Sequence, residues 1–123
     1  MNPGEIQKAI GAHTTWKSRL RTAIDTGRSD VTPEQVEPDN LCAFGKWLHG
    51  LPSSDRNSEH FKKVQPLHAA FHKEAANVLR LALAGKKPEA SKCMASGGSY
   101  LTASTQLTIA MTKWQESLVS KTR

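Results

Sequence analysis

Four side chains able to bind a metal stand where the helical pattern of this chain calls for Leu or Val, and that placement limits the folds open to it. Ile6, Ile10, His13, Trp16, Leu20 and Ile24 recur at intervals of three and four, which puts them on one face of a helix. Leu67, His68, Phe71, His72, Ala75, Leu79 and Leu83 do the same farther along, with His68 and His72 one turn apart on the same side. Cys42 lies in a third apolar segment, LCAFGKWLHG. Imidazoles and a thiol turned into a core are costly unless something satisfies them. A single four-coordinate ion would satisfy all four, and thiolate with imidazole suits Zn2+ better than Mg2+ or Mn2+, which prefer carboxylates.

The first helix is expected to start after an Asn2 cap, with Pro3 in its first turn, and to end near Gly27. Residues 28–40 hold Pro33, Pro38 and several acids, and read as a connection with one helical turn at Pro33-Glu34-Gln35. Asp39 or Asn40 is the expected cap of the short Cys42 helix, which Gly50 and Pro52 close. A long helix follows from about Asn57 to Gly85, with Pro66 predicted to break or restart it. Beyond Gly85-Lys86-Lys87-Pro88 the pattern predicts one last helix, with Ala90, Met94, Gly97, Leu101, Ser104, Thr108, Met111 and Leu118 on its face. Gly97 and Gly98 within it would let a neighbouring backbone approach closely. These elements predict an all-α protein, an antiparallel four-helix bundle with an additional short helix carrying the Cys ligand. A chain of 123 residues fits one domain, residues 1–123. The wide apolar faces of the first and last helices point to a homodimer seam.

Composition removes several function classes. No apolar run of about 18 residues and no signal-peptide pattern is present, so a soluble, cytoplasmic protein without membrane insertion is expected. The formal charge of +6 is scattered over positions such as Lys17, Arg19, Arg21, Lys62, Lys63, Lys86 and Lys87, with no dense basic block interleaved with aromatics. It reads as a solvated surface and not as a nucleic-acid site. Cys42 and Cys93 lack CxxC spacing, which fits reduced thiols, although a disulfide between them, or Cys93 as a substitute ligand, stays open. Catalysis has little support: in HAAFH, Ala69 stands where an HExxH protease has its Glu, and no GxSxG motif occurs. Four protein ligands would also leave no open coordination position. Cys-x-x-Cys-His and paired Glu-x-x-His motifs are absent, so haem ligation by His68 or His72 and di-iron chemistry have no positive support. His49 and His60 read as exposed and ordinary, and Trp16 and Trp47 as core anchors shielding the site.

In order, His13-Thr14-Thr15-Trp16, Cys42-Ala43-Phe44-Gly45-Lys46-Trp47 and His68-Ala69-Ala70-Phe71-His72 closely resemble the bacterial chemoreceptor zinc-binding domain, over nearly the whole chain. The resemblance implies a helical bundle, often homodimeric, with zinc held by His13, Cys42, His68 and His72. It further implies a regulatory and not an enzymatic role, beside methyl-accepting chemotaxis modules or diguanylate cyclases, in response to zinc availability or to oxidants such as hypochlorous acid. Family members usually come fused to an output domain, for which this chain has no room, so it is expected to be either a stand-alone sensor acting in trans on a chemoreceptor or diguanylate cyclase module, or an excised fragment that has such a module in cis. Oxidation of a zinc-bound Cys42 thiolate would change its charge and donor strength and free the short helix, while chelation would loosen the bundle. The alternative is an adaptor in which zinc is purely architectural.

Overall fold

Every element in the computed structural model, which describes residues 3–40 and 42–121, is helical. The Asn2 cap and Leu41 lie outside the described residues. Helix α1 (Pro3–Thr26) stops at Gly27, as its stripe predicts. The turn at Pro33 is α2 (Pro33–Val36), held by a capping box in which the Gln35 N–H donates to Thr32 Oγ1 and the Thr32 N–H donates to Gln35 Oε1. An ion pair between Arg80 and Glu37, 2.8 Å long and half-exposed, helps fasten this turn to the fifth helix.

Helix α3 (Ala43–His49) is capped by neither Asp39 nor Asn40. Cys42 is its N-cap, with extended backbone and with Sγ accepting from the Gly45 N–H at 3.3 Å. Cys42, which the sequence pattern placed inside the helix, therefore stands at its start. A further single turn, α4 (Ser53–Arg56), precedes α5 (Glu59–Leu83), whose first turn is capped by Ser58 accepting from the Phe61 N–H.

Pro66 does not break α5; the helix runs through it for 25 residues. A mid-helix proline costs about 3 kcal/mol, whereas burying Phe61, Val64 and Phe71 on either side of it is worth about 1.5–3 kcal/mol each. Pro66 is itself exposed, where water can serve the Lys62 carbonyl that lacks its helical partner. The expected single last helix, by contrast, is two: α6 (Lys87–Met94) and α7 (Ser99–Lys121). Gly97 has φ +82°, a backbone state in which a helix cannot continue. A Cβ on Gly98 would collide with the carbonyl oxygens of Lys92 and Cys93. The close backbone approach predicted for these glycines occurs at Gly98 alone, where the partner is the end of the preceding helix, while a Cβ on Gly97 would meet nothing within 4 Å.

The long helices α1, α5 and α7 pack on one another in pairs, and α6 lies against all three. Their shared core holds Ile6, Leu20, Phe71, Leu79, Leu107 and Trp114, each no more than 1% exposed. The apolar faces of α1 and α7 are thus largely spent inside the chain. Leu83 and Ile109 are the large hydrophobic side chains that stay exposed among the described residues. No described helix is long and apolar enough to cross a membrane.

Candidate metal centre

His13 comes from the middle of α1, His68 and His72 from successive turns of α5, and Cys42 from the cap of α3. One ligand atom from each lies within 4.8 Å of all the others. His68 Nε2 is 3.2 Å from His13 Nε2 and 3.1 Å from His72 Nε2. Cys42 Sγ lies 3.4 Å from both His68 Nε2 and His72 Nε2. Tetrahedral zinc, with bonds of about 2.0–2.1 Å to N and about 2.3 Å to S, requires N···N edges of about 3.3 Å and N···S edges of about 3.6 Å. The donor set thus fits the ion in chemistry, and these four edges fit it in spacing.

Backbone carbonyls decide which nitrogen each ring turns inward. His13 Nδ1–H donates to the Ala9 carbonyl at 2.8 Å, and His72 Nδ1–H donates to the Val36 carbonyl at the end of α2, also at 2.8 Å. A carbonyl only accepts, so the proton of each neutral ring is on Nδ1 and the Nε2 lone pair faces the cluster. Lone pairs converging at these distances repel unless a cation or a shared proton lies between them. His68 Nδ1 is buried without a hydrogen-bond partner. His68 is therefore the ring whose tautomer the protein leaves free. Without a cation its Nε2–H can donate to a neighbouring Nε2, and with one its proton belongs on Nδ1.

Burial sets the charge state. His13 is pushed down to about 4 by burial, with the nearby His72 adding to the effect, and His68 is pushed down to about 2 by burial and the two neighbouring imidazoles. Burial also lowers His72, opposed by its bond to Val36 and by the Asp39 carboxylate. All three rings are therefore neutral at pH 7, the form a metal requires. Burial pushes the Cys42 thiol up, and the Asp39 charge adds to this, while the N–H groups of Gly45 and Phe44 work against it. Without a cation Cys42 is a thiol; a divalent ion at the centre of the cluster inverts that preference.

Apolar rings enclose the cluster. Phe71 meets His13 edge-on with centroids 5.0 Å apart, and Phe44 meets His68 in the same way at 5.1 Å. Trp16 and Trp47, expected as core anchors, are only half-buried: Trp16 carries the Arg19 guanidinium 4.1 Å above its ring, and Trp47 stacks on Phe44. The fully buried tryptophan is Trp114 of α7, which Trp47 touches at 5.6 Å between centroids. His49 is exposed, with Nε2 3.7 Å from Asp39 Oδ2, while His60 is half-buried and outside the cluster. Cys93 is a free thiol on α6, not among the four grouped residues. Sequence reasoning missed Val36, which acts through a backbone carbonyl and so has no residue signature. It also missed Asp39, whose acidic side chain just ahead of Cys42 was a usable signal.

The family model described as the chemoreceptor zinc-binding domain matches residues 13–79. That span is more than half of the 123 residues, begins on His13 and encloses Cys42, His68 and His72. No curated protein and no solved structure matched the chain. With a zinc-compatible donor set inside the matched span, the chain belongs to the chemoreceptor zinc-binding domain family, and zinc is its metal.

Proposed function

We propose that His13, Cys42, His68 and His72 together hold one Zn2+, and that residues 1–123 form a single sensory and regulatory domain of bacterial signalling, in chemotaxis or cyclic-di-GMP control. The observation that carries this reading is the pair of Nδ1–H···O=C bonds at His13 and His72. They spend the outer nitrogen on the backbone and leave the inner one as a donor to a metal. Four protein donors fill a tetrahedral shell and leave no position for a reacting water, so the role is regulation and not catalysis. In this reading α1, α5, α6 and α7 form an antiparallel four-helix frame, and α3 is the short additional helix that brings in the sulfur.

Cys42 is the responsive ligand. It alone of the four is half-exposed; the three histidines are buried. Removal of zinc, or oxidation of its thiolate by hypochlorous acid or a similar oxidant, detaches α3 from the three rings. A second copy of the chain, or a chemoreceptor or diguanylate cyclase module in cis or in trans, would receive that change. The burial of the histidines also favours a second reading, an adaptor with a structural zinc that senses nothing. Metal analysis of purified protein tests the shared premise: one zinc per chain is expected in the wild type, with loss in His68→Ala and weakened retention in Cys42→Ala. Protein that is metal-free and cannot take up zinc would refute both readings. Oxidant titration separates them, since zinc release from wild type but not from Cys42→Ala supports sensing. Cys42 oxidised with zinc and fold intact would leave the adaptor.

A further inference from the structure

Between α1 and α3 a cavity of about 180 Å3 reaches down to the metal cluster. The buried His13 lines it together with Ala12, Trp16 and Phe44, with the more exposed Glu5 and Lys8 as a rim. The half-exposed Cys42 is part of the lining of this cavity as well. Two properties of the cavity select what can travel along it. Glu5 and Lys8 lie 3.9 Å apart as an i,i+3 pair, so the rim offers no net charge to attract an ion. The largely apolar sides offer nothing to replace the water an ion would shed. Its small volume limits the size of a visitor as well.

We propose that this cavity is the access route by which small uncharged electrophiles reach the Cys42 sulfur, with Ala12 as the residue whose small side chain keeps it open. The proposal rests on Cys42 being the responsive ligand and adds which reagents it can respond to. Charge and size, and not thiol reactivity alone, decide this. A small neutral molecule arrives, whereas an anion of the same shape and a bulky neutral reagent do not.

Iodoacetamide and iodoacetate provide a matched pair, with the same skeleton and reaction but different charge. In both, sulfur forms the S–C bond, the C–I bond breaks, and iodide departs with the electron pair. The zinc-loaded chain is treated with each, and alkylation of Cys42 and Cys93 is followed separately by mass spectrometry, with glutathione as the reference for intrinsic reactivity. Cys42 is expected to favour iodoacetamide about tenfold more than glutathione does, and Cys93 to show no such excess. Ala12→Phe is expected to slow Cys42 alkylation about fivefold through loss of access, with Cys93 and zinc content unchanged, while Ala12→Ser keeps the wild-type rate. Equal normalised rates for the two reagents, or a wild-type rate in folded Ala12→Phe, would overturn the proposal. If Ala12→Phe does not fold, the wild-type ratio decides alone. Protein that holds no zinc yet keeps the selectivity would sink the zinc reading and leave the access route standing.

Discussion

Gly45→Ala is the sharpest single test of how α3 delivers the sulfur. A Cβ at position 45 would lie 2.8 Å from the Asp39 carbonyl carbon and 3.0 Å from Asn40 Cα, and closer still to the Asp39 carbonyl oxygen. Carbon atoms in ordinary contact sit about 3.5–4.0 Å apart. The new methyl group must therefore push α3 and the Asp39–Asn40 backbone apart by about 0.5–1 Å. The neighbours are backbone, which cannot swing aside as a side chain would, and Cys42 lies between the two displaced pieces. Metal bonds tolerate about 0.2 Å, so the sulfur leaves its place before the clash is relieved. Overpacking of this kind costs about 1–3 kcal/mol in stability, and disturbing the support of a metal ligand typically costs about 10–100-fold in affinity. Competition titration against a chromogenic zinc chelator measures the affinity, and the sulfur-to-cobalt charge-transfer band of Co2+-substituted protein reports whether the thiolate still binds. Gly11→Ala is the matched control: a Cβ there meets nothing within 4 Å, and an exposed helical Gly→Ala change should raise stability by about 0.5–1 kcal/mol with zinc affinity unchanged. If Gly45→Ala binds zinc as tightly as wild type with an undiminished charge-transfer band, the account of α3 as a rigid carrier of the ligand is wrong.

Other consequences follow from the charge state. With three neutral rings and a thiol in the metal-free site, zinc uptake at pH 7 should release about one proton, from Cys42; calorimetry in buffers of different ionisation enthalpy counts it, and a value near four would mean that the three histidines are protonated as well. His13 titrates near 4 in the folded chain against 6.5 when free, so between those values the unfolded state binds more protons. His13 alone should therefore cost metal-free protein about 3 kcal/mol of stability as the pH falls from about 6.5 to about 4, and His68 and His72 add loss in the same direction, as read by urea unfolding at each pH; a flat profile would refute the burial argument. Gly98→Ala should destabilise the α6–α7 corner by about 1–3 kcal/mol in thermal unfolding while leaving zinc affinity unchanged, since no donor lies there.

Residue spacing made the donors legible because His13, His68 and His72 each occupy a core position of a regular helix, where a polar ring needs a reason. The capping role of Cys42 was hidden because a thiol is not among the side chains expected at a helix start. Pro66 misled for a different reason: local propensity argues for a break, but the packing of Val64 and Phe71 outweighs it. The last third of the chain was read in the wrong phase. Treating Ala90 to Leu118 as one helix puts Leu101, Ser104 and Thr108 inward, but the corner at Gly97 resets the count. The buried set of α7 is Tyr100, Ala103, Leu107, Ala110 and Trp114, with Met111 and Leu118 common to both readings. A one-residue slip of this kind cannot be detected without knowing where a helix restarts.

Phe44 stacks on Trp47, and Trp47 leans on Trp114, with ring centres 5.5 and 5.6 Å apart. These rings link the short helix beside the sulfur to the last long helix, which supplies none of the grouped donors. Any tilt of the short helix away from the histidines slides one indole across another. The chain thereby carries its own optical gauge, in which tryptophan emission follows the posture of the metal-side helix without an added label.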